Sequence, residues 1–161
     1  MERARAREIS YPFSARVGCA KMEFVCDAVG GKTWFRLETE AEAAAESDVM
    51  KHAVEKYFRR EHEKAVQSYQ PAQPSSIERD IGLKSHVTRA MPIFLTLRER
   101  DGTPLATAML PPRGRSDPQF RIIIVGPANG DPYPAEGASI EVLGKHFGLK
   151  LDRARCFPYG R

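Results

Sequence analysis

Arg153, Arg155, Phe157, Tyr159 and Arg161 occupy every second position of the C-terminal segment, with Ala154, Cys156, Pro158 and Gly160 between them. In an extended segment the cations and aromatic rings would share one face and the small residues the other. Guanidinium groups alternating with π-surface suit a strand that tracks phosphates while stacking bases. They suit carboxylate-bearing protein partners equally well. The competing reading is a terminal strand whose rings cover the edge of the core while its arginines are merely solvated. Arg3, Arg5 and Arg7 repeat the spacing at the other end, and Arg113 and Arg115, in a Pro/Gly loop, would extend such a surface if the fold gathered them.

A second group of candidates lies between residues 126 and 137, in Gly-Pro-Ala-Asn-Gly-Asp-Pro-Tyr-Pro-Ala-Glu-Gly. The stretch follows an apolar run and precedes a helical pattern, a place where backbone N–H groups can cradle an anion. It is neither GxGxxG nor GxxxxGK[ST], and Asp131 and Glu136 would repel a phosphate. A shaped connection is one reading; a loop that grips a partner through Asp131 and Tyr133, or that houses the site of a small enzyme, is the other.

Classical catalytic patterns are sparse. His52 and His62 sit ten positions apart, about 80° around a helix, and form no two-ligand face. His146, Asp152 and Cys156 could be assembled into a nucleophile, base and orienter only by tertiary geometry that spacing does not supply. Cys19, Cys26 and Cys156 form neither a CxxC nor a Cys/His quartet, so no metal or cofactor is expected and the thiols read as small buried side chains.

Trp34 alternates out of phase with Phe35 and Leu37. It is therefore expected to point away from the core side of its hairpin, either as an exposed interface anchor or simply covered by the helix.

The elements that must position these residues follow from periodicity. Residues 11–26 read as strands with a parity change near Gly18-Cys19-Ala20; Val29-Gly30-Gly31-Lys32 turns the chain, and 33–38 returns as a strand. Thr39-x-x-Glu42 is a capping box. From there Val49, Met50, Ala53, Val54, Tyr57, Phe58, Ala65, Val66 and Tyr69 draw one apolar stripe to Gln70-Pro71. That predicts a single amphipathic helix of about 45 Å, longer than one face of a small sheet, which either projects to pair with another protein or spans both halves and buries its stripe internally. A short helix is expected over 77–83, where Gly82 interrupts it. Strands over 93–99 and 103–110 flank Asp101-Gly102, and an apolar third strand, 120–125, reads as central. A helix over 134–147 ends at Gly148.

The fold class expected is α+β: antiparallel sheet with one long amphipathic helix and a shorter C-terminal helix, built as a single domain over 1–161 or as two ββα-like halves, 9–70 and 77–161, joined by the Pro/Ser-rich linker 71–76. A chain of 161 residues that is 42% hydrophobic and 29% charged is neither a disordered tail nor a fibre. No apolar run approaches a membrane span, no secretory h-region follows Met1, and the expected location is cytoplasmic. Net charge is +4, unevenly spread. Residues 38–48 hold five acids and no Lys or Arg, as a helix N-terminus prefers, whereas 145–161 hold five bases against one acid.

The function these features favour is a non-catalytic binding or adaptor module working through protein–protein contacts, by self-association or in a larger assembly. An accessory nucleic-acid binder using the basic and aromatic C-terminal segment, and a small enzyme at the 126–137 loop, are the alternatives.

Overall fold

A computed structural model describes residues 22–70, 76–115 and 120–160 of the chain. Arg3, Arg5, Arg7, Cys19, Arg161, the strand expected over 11–19 and most of the 71–76 linker lie outside the described residues.

The described residues build one five-stranded antiparallel sheet in simple sequence order: β1 (Glu23–Asp27), β2 (Thr33–Leu37), β3 (Ile93–Arg98), β4 (Pro104–Leu110) and β5 (Ile123–Val125). β2 and β3 pair from Thr33↔Arg98 to Leu37↔Phe94, so strands from either side of the linker join directly. Among the described residues four helices complete the α+β fold: α1 (Glu40–Met50), α2 (Val54–Gln67), α3 (Ser76–Ala90) and α4 (Tyr133–Phe147). No helix among the described residues is long and apolar enough to cross a membrane.

Alternation along the strands sorts two cores. Phe35, Leu37, Phe94 and Met109 face α1 and α2, where Met50, Phe58 and Ala65 close over them. Trp34, Leu95, Leu97, Ala108 and Ile124 face the other way, onto Ile140 and Leu143 of α4 and Cys156 beyond it. Both sheet faces are covered, which is why every residue of β3 is buried.

This arrangement corrects the expectation of an exposed Trp34. The ring does point opposite to Phe35 and Leu37, but that face belongs to α4. Trp34 is 0% exposed and its indole Nε1–H donates to the Ser139 carbonyl at 2.9 Å.

The single long helix is also corrected. It breaks after Met50, where Lys51 adopts a left-handed conformation (φ 56°), and α2 begins three residues later. No Gly or Pro marks the break; Ser47 does, accepting the Lys51 N–H at its carbonyl and the Glu55 N–H at its Oγ, 2.8 Å away. Breaking the helix folds its second half back across the sheet, so that both Met50 and Phe58 are buried. The Thr39 cap holds as expected: its hydroxyl accepts the Glu42 N–H at 3.1 Å, and Glu42 accepts the Glu38 N–H in return.

α3 runs to Ala90, well past Leu83, because Gly82 is a point of close approach within the helix. The space a Cβ would need there is filled by Tyr69, whose ring also lies 5.4 Å from that of His86. The hairpin at Asp101-Gly102 forms (Gly102 φ 90°), and Gly148 caps α4 in the left-handed region (φ 68°).

β5 is shorter than expected and lies at an edge, not in the centre. Its apolar character has another cause: the C-terminal segment covers it. Phe157 N–H donates to Ile122 O at 2.8 Å, and Ile124 N–H reaches Phe157 O at 3.4 Å in a parallel bridge.

Candidate binding sites

Thr96, Arg98 and Thr107 share the strand phase of the core residues Phe94 and Met109, so they face α1 beneath a helical layer. Burial there requires partners, and Glu46 supplies them. Arg98 donates to Glu46 Oε1 at 2.6 Å, to Gly102 O at 2.9 Å and to Thr96 Oγ1 at 3.0 Å; Thr107 donates its hydroxyl proton to Glu46 Oε2 at 2.8 Å. Arg98 and Glu46 are both essentially unexposed.

The chain of bonds ends at His52, in the break between α1 and α2. Its Nε2 lies 2.8 Å from Thr107 Oγ1. Because the single Thr107 proton goes to Glu46, His52 must donate there, and its Nδ1 accepts the Val54 N–H at 3.4 Å. The imidazole is thus the neutral Nε2–H tautomer with both nitrogens engaged. Burial lowers its pKa, against the pull of the Glu46 charge.

His52 and Thr107 form the polar wall of a cavity of about 310 Å³. The remaining walls come from the start of α2 (Val54, Tyr57), from β4 and β5 (Met109, Val125) and from Phe157-Pro158. Among the described residues no Asp, Glu, Lys or Arg lines it. One rim is the turn Pro127–Asn129, in which Ala128 and Asn129 both hold positive φ (54° and 59°). That conformation costs a non-glycine residue about 1 kcal/mol or more. Here it is braced by Gly126 N–H donating to Gly130 O at 2.7 Å and by the Tyr159 hydroxyl donating to the same carbonyl at 3.0 Å.

The C-terminal candidates meet the 126–137 loop instead of forming an extended stripe. Residues 153–155 make a 3₁₀ turn, and Tyr159 N–H and Gly160 N–H both return to Cys156 O. This replaces the expected one-face alternation. Arg153 Nε donates to Asp131 Oδ2 at 2.7 Å and stacks 4.7 Å above the Tyr159 ring, and Arg155 pairs with Asp152 at 3.2 Å. Phe157, 42% exposed, lies under Arg121 at 5.2 Å. Arg113 sits in the turn Pro112–Gly114 with φ 60°, and the Gly114 beside it packs on Phe147, with Arg115 following. Two acids therefore already face the basic segment. Burial works against the Asp131 carboxylate, but hydrogen bonds from Tyr133 N–H and Arg153 hold its pKa low.

His146, Asp152 and Cys156 have separate engagements: His146 against the Phe147 ring, Asp152 with Arg155, and Cys156 buried beside Tyr133. Burial raises the Cys156 pKa and keeps the group a thiol, with the Tyr133 contact opposing in part. Among the described residues no cluster of three or more His, Cys, Asp or Glu could hold a metal ion.

A trough of about 450 Å³ runs between α2 and α3. Its floor is apolar (Leu37, Phe58, Val87, Met91), and its rim carries both signs of charge: Arg36 and Lys84, Glu38 and Asp80. Val66, 37% exposed, is the part of the α2 stripe that the fold leaves uncovered.

The Glu46–Arg98 network was hidden in the sequence, where Glu46 reads as one of five acids favouring a helix N-terminus. The signal was the phase of Thr96 and Arg98, polar residues in register with Phe94. No family model matches this chain, nor does any curated protein or solved structure.

Proposed function

We propose that this protein is a non-catalytic binding module that works through contacts with another protein, taking an apolar-centred segment of its partner into the α2–α3 trough. The observation that carries this reading is the composition of the trough: an apolar floor bounded by a rim of mixed charge. Interfaces between proteins have that anatomy, with a desolvated centre for affinity and polar edges for register. A rim of both signs suits a polypeptide, which offers both, better than a polyanion. The engagement of His52 at both ring nitrogens supports a binding role over a proton-transfer role at the neighbouring cavity. On this reading the protein acts in the cytoplasm, where Cys26 and Cys156 stay as thiols.

Affinity capture with the wild-type chain and with Val66→Asp tests the proposal, because Val66 lies on the trough and is exposed enough to accept a charge without loss of fold. A partner retained by the wild type and lost by V66D, with circular dichroism unchanged, is the expected result. Equal retention by both, or light scattering and capture that find no protein partner, would overturn it.

A further inference from the structure

The cavity beside His52 shares no lining residue with the trough, and its chemistry is different. The trough has charges of both signs; the cavity has none among its described lining residues, and its histidine is held neutral by the bonds at both ring nitrogens. A volume of about 310 Å³ is at the small end of ligand pockets. It has room for a molecule of roughly 15 heavy atoms, and too little for a helix or a strand.

Polar capacity in the cavity is limited and localised. His52 and Thr107 are already bonded to each other and to Glu46. Among the described residues, Tyr57 and Asn129 are the lining side chains whose polar groups have no hydrogen-bond partner. The backbone of Asn129 is held in its unusual conformation by a loop braced at Gly126, Gly130 and Tyr159, which fixes where its side chain leaves the loop at the cavity rim.

We propose that this cavity is a binding site for a neutral, largely apolar small molecule, with one hydrogen-bonding group that meets Asn129 or Tyr57. An anionic amphiphile of the same size is disfavoured, because among the described residues no cation lines the site to offset the cost of burying its charge, Arg121 standing on the Phe157 ring without being among the lining residues. The apolar body is held by Val54, Met109, Val125 and Phe157, and the uncharged wall at His52 and Thr107 adds selectivity without a formal charge.

Fluorescence titration of the purified protein with N-phenyl-1-naphthylamine, a neutral probe, and with its anionic relative 8-anilinonaphthalene-1-sulfonate tests the site. The expected result is saturable one-to-one binding of the neutral probe, at least tenfold tighter than the anion. Ala53→Trp, which fills the cavity from an exposed position, should weaken the neutral probe at least tenfold; Val125→Phe serves if A53W does not fold. Asn129→Gly, which keeps the left-handed backbone available, should weaken N-phenyl-1-naphthylamine severalfold and leave naphthalene unchanged. V66D should bind the probe like the wild type, so failure of the trough and failure of the cavity are told apart. Absence of saturable binding, equal affinity for the anion, or indifference to both filling variants overturns the proposal. Loss of a captured protein in A53W without any probe binding would assign the cavity to a partner's side chain instead, and overturns it too.

Discussion

Thr107 donates its only hydroxyl proton to Glu46 across 2.8 Å, and that bond determines what His52 can be. With the proton committed, His52 must donate from Nε2 and accept the Val54 N–H at Nδ1, which an imidazolium cannot do. Protonation would set two donors against each other at the start of α2.

The consequence is a pH dependence of stability. Burial lowers the folded pKa of His52 below its ordinary 6.5. The unfolded chain therefore takes up a proton first as pH falls through 6.5, and the folded state loses stability relative to it. Thermal melts at pH 7.5 and 5.5 should show a larger fall in Tm for the wild type than for His52→Gln, which keeps a donor for Thr107 and cannot titrate. Equal falls would show that the His52 proton is unimportant to the fold.

The ion pair beneath it sets a second expectation. Arg98 and Glu46 are 2% and 0% exposed, so neither charge can be left alone. Glu46→Gln strands the guanidinium and should cost about 3–5 kcal/mol. In a chain of this size that lowers Tm by about 10 °C or more. The double replacement Glu46→Leu, Arg98→Met removes both charges together and should recover part of the loss, because no buried charge is left alone, while Thr107, Thr96 and the Gly102 carbonyl each lose a partner. Chemical denaturation of Glu46→Leu, of Arg98→Met and of the double gives the coupling directly. Additive losses would mean that the two charges do not depend on one another.

How far this could be seen beforehand depends on what each signal encodes. Thr39, Gly102 and Gly148 act through their own side chain or backbone, and the cap, the turn and the helix end all appear where local chemistry placed them. Trp34 was legible in phase and illegible in exposure: alternation says which side of a strand a ring is on, while α4, which covers that side, lies a hundred residues away. The helix break at Lys51 is equally non-local, since its benefit is the return of Phe58 to the sheet and nothing at 51–53 forbids a helix. Both candidate sites are assembled across such distances. His52 meets Thr107, and Val66 shares a trough with Lys84, through the path of the chain.

Glu23, at the opposite edge of the sheet, should shift stability in the reverse sense. A hydrogen bond with the Glu38 side chain, then burial, then the Glu38 charge raise its pKa to about 7. An acid with a raised folded pKa stabilises the fold at low pH, and that contribution is lost as pH climbs from 4.5 to about 7. Glu23→Gln should therefore raise Tm at pH 8 and leave it unchanged near pH 4.5. The side chain is largely exposed, so solvent screening reduces the gain to about 1 kcal/mol, or roughly 2–4 °C. A variant that melts with the wild type at pH 8 would show that Glu23 and Glu38 do not share a proton.

The C-terminal segment closes the edge of β5, and removing it should expose that edge. Phe157 fills the hydrogen-bonding positions at Ile122 and Ile124, Cys156 is buried against the α4 core, and Tyr159 braces the Gly130 carbonyl. A chain ending at Asp152 loses all three and leaves unpaired N–H and C=O groups along an apolar strand, the usual template for edge-to-edge pairing. Light scattering should show this truncation associating with rising concentration under conditions where the full chain does not. Probe binding at the His52 cavity should fall with it, since Phe157 and Pro158 form one wall. Phe157→Ala separates the two effects: the backbone bonds to Ile122 and Ile124 survive while the wall is lost, so the variant should keep the solution behaviour of the full chain and bind the probe several times more weakly. If F157A associates as the truncation does, the ring and not the backbone pairing protects the edge.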